Sequence, residues 1–254
     1  MPIIQYDNVC KKFNNSSRLA VDHVSARIEK GEFITILGSS GCGKTTLLKL
    51  TNRLYDPDGG TIYVGGEDIA NLDPVALRRR LGYVIQQVGL FPHMTIRDNI
   101  TAIPQLMKWD KKRMDERADE LLTLVGLDPA EYRGRYPHQL SGGQQQRVGL
   151  ARALVLDPEI LLMDEPFGAI DAITRLNLQN EFMKIQESLG KTILFVTHDI
   201  NEAFKLGSRV MVMNEGKLLQ FAAPAEIVKN PADDFVRTLI EAARMQEQFW
   251  ENVR

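Results

Sequence analysis

The stretch Phe33-Ile34-Thr35-Ile36-Leu37 is almost wholly apolar and rich in β-branched residues, and it runs straight into Gly38-Ser39-Ser40-Gly41-Cys42-Gly43-Lys44-Thr45. A strand of that composition is buried on both faces, which the parallel sheet of an α/β fold provides. The segment after it fits G-x-x-x-x-G-K-[ST], and an apolar helix follows, so it reads as a phosphate-binding loop. Its glycines let the chain curl until successive N–H groups point at an anion. The next helix adds its positive end, Lys44 neutralises the outer phosphates, and Thr45, followed by Thr46, offers a hydroxyl to Mg²⁺. Cys42 reads as a small spacer, because nothing in the sequence pairs it with a base or a second thiol.

Composition narrows the partners. A chain of 254 residues with 44% hydrophobic and 25% charged residues is expected to be soluble and folded, as one lobed domain or two small ones. Lys and Arg number 31 against 33 Asp and Glu, a net charge of −2, so no global positive excess holds a nucleic-acid backbone and no nucleic-acid partner is expected. Any anion must be bound locally. Two cysteines, Cys10 and Cys42, make no disulfide framework and suit a reducing cytoplasm. The N-terminus has no signal-peptide pattern, and the most apolar stretch, Leu150 to Met163, is broken by Arg152, Asp157, Pro158 and Glu159. A role at a membrane would require other chains to hold this one there.

Ile3 to Val9 and Val21 to Ile28 read as strands, with Val24, Ala26 and Ile28 alternating as in a half-buried antiparallel sheet. From Gln86 to Leu156 the texture turns helical: Met114, Ala118, Leu121, Leu122 and Val125 recur at helical spacing. The charges between them, Lys111, Lys112, Arg113, Asp115, Glu116, Arg117 and Asp119, read as a solvated face. Buried-strand composition returns at Glu159 to Met163 and Thr192 to Val196, around a helix carrying Leu178, Phe182, Ile185 and Leu189. Arg209 to Met213 and Lys217 to Phe221 are joined by Asn214-Glu215-Gly216, a tight hairpin. Pro224 opens another helix, and Asp233 to Arg254 is amphipathic.

Two further segments carry chemistry. Ile160-Leu161-Leu162-Met163-Asp164-Glu165-Pro166 is a buried strand ending in adjacent carboxylates. Alone it would usually be a solvated turn; beside a phosphate loop it is the second half of a nucleotide site. Asp164 is assigned to the metal, and Glu165, one residue further from the strand, to the attacking water. In Leu140-Ser141-Gly142-Gly143-Gln144-Gln145-Gln146-Arg147, Ser141 is a good N-cap, Gly142 and Gly143 let an anion approach, and the residues from Gln144 to Leu154 make a helix. This is either an ordinary capped helix or a second anion cradle. One ATP does not need two cradles from one subunit, so a second cradle would serve a nucleotide held by another copy.

The phosphate loop, LSGGQQQR and the Asp164-Glu165 strand, in this order and followed by His198, resemble the nucleotide-binding subunit of ATP-binding cassette transporters over nearly the whole chain. The resemblance implies an α/β fold: a P-loop NTPase core of RecA-like type with an N-terminal antiparallel β subdomain and an inserted helical subdomain. Residues 1–85 and 157–230 would be the core, 86–156 the helical signature subdomain, and 231–254 a C-terminal helical extension. It implies ATP and Mg²⁺ as ligands. Phe13 matches the aromatic that stacks on adenine, and Gly38, Ser39, Ser40, Gly41, Cys42, Gly43, Lys44, Thr45 and Thr46 the phosphate cradle. Thr45, Gln86 and Asp164 match the metal-binding positions, and Gln86 also senses the membrane partner. Ser141, Gly142, Gly143 and Gln144 would face the nucleotide of a second copy, and Asp171, in the loop Gly168-Ala169-Ile170-Asp171, would cross the dimer. Glu165 and His198 would be catalytic, His198 through the γ-phosphate. Blander roles stand beside these: Phe13 as a core residue, Gln86-Gln87 as surface amides, His198-Asp199 as a helix cap. Gln86 is preferred to Gln87 because it follows Val84-Ile85.

The implied mechanism is a head-to-tail homodimer sandwiching two ATPs, closed by binding and opened by hydrolysis. A free-standing cassette resembles prokaryotic importers, with an integral membrane permease as partner, an extracytoplasmic solute-binding protein acting indirectly, and a peripheral place on the cytoplasmic face. Thr51-Asn52-Arg53-Leu54, the segment from Gln86 to Thr95 and the segment from Phe167 to Arg175 look like the glycine betaine, carnitine and choline importers. An importer of another small solute, such as an amino acid, is the alternative. Cassette proteins of DNA repair or translation would need a coiled-coil insertion or a second cassette, a kinase or GTPase would not need LSGGQ, and a non-catalytic regulator would have lost Glu165 or His198. Many members of the osmoprotectant class continue into paired regulatory domains of the cystathionine-β-synthase type, whereas here residues 231–254 follow Asn230; the chain is either truncated or without that control. Phe235, Leu239, Ile240, Phe249 and Trp250 are then expected to stay partly exposed and to promote self-association.

Overall fold

The structure, a computed structural model, describes residues 1–14, 16–86, 89–168 and 171–252. They divide into two compact units, Met1–Leu77 with Thr192–Arg254, and Arg78–Lys191.

In the first unit, β1 (Ile4–Lys12) and β2 (Leu19–Ile28) precede β3 (Phe33–Gly38) and α1 (Lys44–Thr51), and β4 (Gly59–Val64) and β5 (Glu67–Asp68) follow. An antiparallel sheet runs β2-β1-β4-β5, with Tyr6 opposite both Ala26 and Ile62. Val24, Ala26 and Ile28 are buried and Ser25 and Arg27 exposed, so the alternation is that of a sheet wet on one face. Sequence patterning did not reveal β4: it opens on Gly59-Gly60, and only Ile62 and Val64 are buried.

The second sheet of this unit adds β8 (Thr192–Thr197), β9 (Arg209–Asn214) and β10 (Lys217–Ala222), in the order β10-β9-β3-β8. β3 runs parallel to both neighbours, with Thr35 between Phe195 and Val210, and every residue of β3 and β8 is buried. β10 returns antiparallel through the tight turn at Glu215 and Gly216, whose φ values of 46° and 83° suit the primed hairpin turns. α8 (Ile200–Leu206), α9 (Pro224–Lys229) and α10 (Asp234–Asn252) complete the unit. Leu37, Ala203, Val210, Val212, Ile227, Val236 and Ile240 form one buried cluster, against which Phe235 and Leu239 pack half-buried. Phe235 and Leu239 thus keep the partial exposure expected of them, whereas Ile240 does not: it is 6% exposed, covered together with Val236 by α8, α9 and the sheet. The side chains of Phe249 and Trp250 lie outside the described residues.

Thr51-Asn52-Arg53 staples α1 to the antiparallel sheet. Thr51 shares a 2.7 Å hydrogen bond with the buried Tyr6 hydroxyl. Arg53, at φ 52°, donates from Nη1 to the carbonyls of Ile69 (2.9 Å) and Leu72 (2.7 Å) and from Nε to Asp56 (3.1 Å).

α2 (Pro74–Arg80) carries the chain from one unit into the other. In the second unit β6 (Leu81–Val84) pairs in parallel with β7 (Ile160–Asp164), Val84 beside Met163. Around them are α3 (Ile96–Leu106), α4 (Lys111–Leu124), α5 (Pro129–Tyr132), α6 (Gly142–Leu154) and α7 (Ala172–Leu189). Met114, Ala118, Leu121, Leu122 and Val125 are buried, as their spacing predicts. The charges between them are only partly a solvated face. Asp115 takes Arg97 Nε at 2.8 Å and Arg133 Nη2 at 3.1 Å, Asp119 takes Arg133 Nη1 at 3.1 Å, and Arg117 donates to the Leu154 carbonyl at 2.8 Å, where the end of α6 needs a donor. The division also differs from the expected boundaries: β6, β7 and α7 belong with the helices, and the C-terminal helix belongs to the first unit.

Arg53→Ala removes the donor of the Ile69, Ala70 and Leu72 carbonyls and of the Asp56 carboxylate at a largely buried side chain. It is expected to lower stability by about 1–3 kcal/mol, read as a lower urea midpoint.

Candidate functional site

In the first unit the phosphate loop leaves the carboxyl end of β3, the edge at which open α/β sheets bind ligands. Two of its glycines are required by close packing. A Cβ on Gly38 would lie 2.1 Å from the Met213 carbonyl oxygen, and one on Gly43, itself at φ 107°, 2.0 Å from that of Ala20. Gly41 faces open space, with nothing within 4 Å of an added Cβ, and Ser39 and Ser40 are exposed beside it. Gly43 starts α1 without a side-chain cap, which suits the first N–H groups to an anion. Lys44 is buried, yet its Nζ is held at the loop by the carbonyls of Gly38 (2.8 Å) and Ser39 (2.9 Å). Thr45 and Thr46 are half-buried on the same turn. Cys42 fills the inside of the loop, 4% exposed, and burial pushes its thiol up in pKa despite the Lys44 ammonium nearby, so it is a spacer.

Leu37 pairs with Thr197, so Gly38 and His198 leave the ends of adjacent parallel strands. His198 is exposed, and the cap of α8 is made by Asp199, which accepts from the N–H groups of Asn201 and Glu202 at 2.9 and 3.3 Å. Half-buried Phe13 meets Tyr55 edge-on at 5.2 Å between ring centres, with Lys11 Nζ 5.9 Å from the Phe13 ring.

In the second unit Gln86 and Glu165 each stand two residues beyond the paired Val84 and Met163, and Gln86 Nε2 donates to Glu165 Oε2 at 3.0 Å. Asp164 ends β7 and is 6% exposed. Glu165 adopts φ 44°, uncommon for a residue with a side chain, in a turn closed by Gly168 N–H donating to its carbonyl at 3.1 Å. Gln87, Ala169 and Ile170 lie outside the described residues. The hydroxyl of Thr45, the amide oxygen of Gln86 and the carboxylate of Asp164 are hard oxygen donors suited to Mg²⁺. Among the described residues, no group of three or more His, Cys, Asp and Glu could hold a metal ion.

The start of α6 is a reciprocal capping box: Ser141 Oγ accepts Gln144 N–H at 3.3 Å, and Gln144 Oε1 accepts Ser141 N–H at 2.9 Å. The two glycines between them differ. Gly142 is exposed, with open space where a Cβ would go, whereas Gly143 is buried, its would-be Cβ 2.9 Å from Thr174 Cγ2. Gly143 therefore also serves the close packing of α6 on α7, a second reason for glycine at this position. The Gln144 amide is likewise committed inside the protein, its Nε2 donating to the Tyr132 hydroxyl at 3.0 Å. Asp171 caps α7 through Thr174 N–H at 3.0 Å, and that bond holds its carboxyl below the usual range. Sequence reasoning missed Tyr132, at the end of the short helix α5, and Tyr55, in the bend after α1, since a lone tyrosine in so short a segment carries no periodic signal.

The family model described as ABC transporter matches residues 21–168. The chain is 53% identical over 243 residues to the choline transport ATP-binding protein OpuBA of Bacillus subtilis, covering 96% of this chain and 63% of the relative. It is 51% identical over 245 residues to the carnitine transport ATP-binding protein OpuCA of Listeria monocytogenes, covering 96% and 61%. It is 49% identical over 235 residues to the glycine betaine uptake system ATP-binding protein YehX of Escherichia coli, covering 92% and 75%. The chain thus spans less than two thirds of the length of the first two. Among solved structures, a dimeric post-hydrolysis state of an ATP-binding cassette bound to ADP and Pi matches with a TM-score of 0.76 at 34% identity, over 87% of this chain and 98% of that one. The cbiO1 protein of Clostridium perfringens, part of a cbiONQ transporter complex, matches with a TM-score of 0.82 at 27% identity, over 91% and 92%.

Because Cys42 is buried with a raised pKa, maleimide at pH 7 is expected to label Cys10 well before Cys42, with the Cys42 rate rising as pH is increased. Equal rates at pH 7 would contradict this picture of the loop.

Proposed function

The chain belongs to the ABC transporter family, and from that membership we propose that it is the ATP-hydrolysing subunit powering import of a quaternary-amine solute, glycine betaine, carnitine or choline. The observation that carries this reading is the likeness, at 51–53% identity over 96% of the chain, to proteins named for choline and carnitine transport. It favours these solutes over an amino acid. No helix among the described residues is long and apolar enough to cross a membrane, so the solute's path belongs to a separate permease in this reading. The subunit then works as a homodimer, peripheral to the cytoplasmic face of a prokaryotic membrane, with a solute-binding protein acting through the permease.

Each residue then has a physical task. Phe13 offers a ring face to adenine. Lys44 exchanges the neutral carbonyl acceptors of Gly38 and Ser39 for anionic phosphate oxygens, so that both partners of its hydrogen bonds are then charged. The first N–H groups of α1 point at the same anion, and Ser141 with Gly142 presents a second helix start to the γ-phosphate bound by the other copy. Glu165 orients the attacking water and takes its proton, and Gln86, bonded to Glu165 Oε2, must yield that oxygen as the water arrives. His198 donates to the γ-phosphate. Thr45, Gln86 and Asp164 would hold Mg²⁺, which when bound neutralises charge on the phosphate oxygens. Asp171 lies at the copy-to-copy boundary in this reading.

Glu165→Gln is expected to keep ATP binding and lower turnover by about 10²- to 10⁴-fold, measured on the permease-bound complex. An unchanged rate removes Glu165 from the role of base. Uptake of labelled glycine betaine, carnitine and choline, compared between wild type and Lys44→Ala, tests the whole reading. Uptake lost in the mutant supports it, and ATP hydrolysis without uptake of any of the three overturns the solute class.

A further inference from the structure

The Gln144 side chain stands between two partners. Its Oε1 accepts Ser141 N–H at 2.9 Å, so its NH₂ group must find an acceptor elsewhere, and Nε2 meets the Tyr132 hydroxyl at 3.0 Å. The Ser141 N–H can only donate and so sets which end of the amide faces it, while the Tyr132 hydroxyl anchors the far end, accepting from Nε2, and so holds in place the side chain that completes the capping box.

Tyr132 is itself firmly placed. It ends α5, and the Arg135 guanidinium lies 4.6 Å from its ring centre while bonded to Glu131 at 2.6 Å. The backbone next to it is tied to the start of α3, Ile96 N–H to the Arg135 carbonyl at 2.8 Å and Arg97 N–H to the Arg133 carbonyl at 3.0 Å. Arg133 also bridges Asp115 and Asp119 on α4. The phenol oxygen is therefore held by backbone and ion pairs from α3 and α4 while it grips the side chain that shapes the start of α6.

We propose that Tyr132 is a positioning residue: through Gln144 it fixes the Ser141 backbone and hydroxyl in the geometry that faces the γ-phosphate of a second copy. This rests on the reading of Ser141 given above. Tyr132 touches no nucleotide and acts only through the Gln144 amide.

Tyr132→Phe keeps the ring and its Arg135 contact and removes only the acceptor. In nucleotide-free protein, hydrogen exchange at the Ser141 and Gln144 amides is expected to accelerate about two- to tenfold, the effect of losing one hydrogen bond. In the permease-bound complex, kcat for ATP is expected to fall by a similar factor with nucleotide binding to the phosphate loop unchanged. Adding Tyr132→Phe to Gln144→Ala is expected to cost nothing further, because the path is already cut. Unchanged amide exchange, or losses that multiply in the double variant, would overturn the proposal. A wild-type complex that hydrolyses no ATP would overturn the functional reading and this inference with it, whereas an active wild type with an indifferent Tyr132→Phe would overturn the inference alone.

Discussion

β3 is buried along its whole length between two parallel neighbours, and it ends where no side chain fits. With the Met213 carbonyl oxygen 2.1 Å from any Cβ at Gly38, the strand can end there only on glycine. That constraint places the phosphate loop at the carboxyl edge of the sheet, aims the first N–H groups of α1 back at it, and sets His198 beside Gly38 through the Leu37–Thr197 pairing. The loop's chemistry follows from packing. Gly38 and Gly43 are held by close packing, whereas Gly41 between them faces open space.

A chain with a net charge of −2 therefore needs no positive surface to hold a polyphosphate. In the proposed reading one buried ammonium and oriented peptide dipoles hold the phosphates locally, and a second helix start is offered at Ser141–Gln144 in different form. At Gly43 the helix start has no side-chain cap, whereas at Ser141 it is shaped by a reciprocal box held in turn by Tyr132. In the proposed reading the first presents its uncapped N–H groups to an anion. The second offers a hydroxyl and an open glycine whose positions depend on a side chain nine residues upstream.

The buried strands, the half-buried β2, the hairpin at Glu215-Gly216 and the helix capped by Ser141 were all legible in the sequence, because each rests on local periodicity or turn chemistry. β4 escaped because a strand opened by two glycines and burying two side chains has almost no periodic signal. The charge run on α4 looked solvated because sequence reveals alternation but not neighbours, and Arg97 and Arg133 lie well away along the chain. The two glycines of the signature segment looked equivalent until α7 was seen to press on Gly143 alone.

The sequence by itself determined the α/β class, the phosphate loop, the carboxylate pair at the end of β7 and the capped start of α6, since these follow from residue order over short spans. Only the tertiary structure decided which side chains are already spoken for. Gln86 rests on Glu165, Gln144 on Tyr132 and Ser141, Asp115 on Arg97 and Arg133, and the first turns of the last helix on the cluster around Ile227. A hydrogen bond or an apolar contact is a relation between distant positions, and its partners are chosen by the packing of whole elements, which no local pattern encodes.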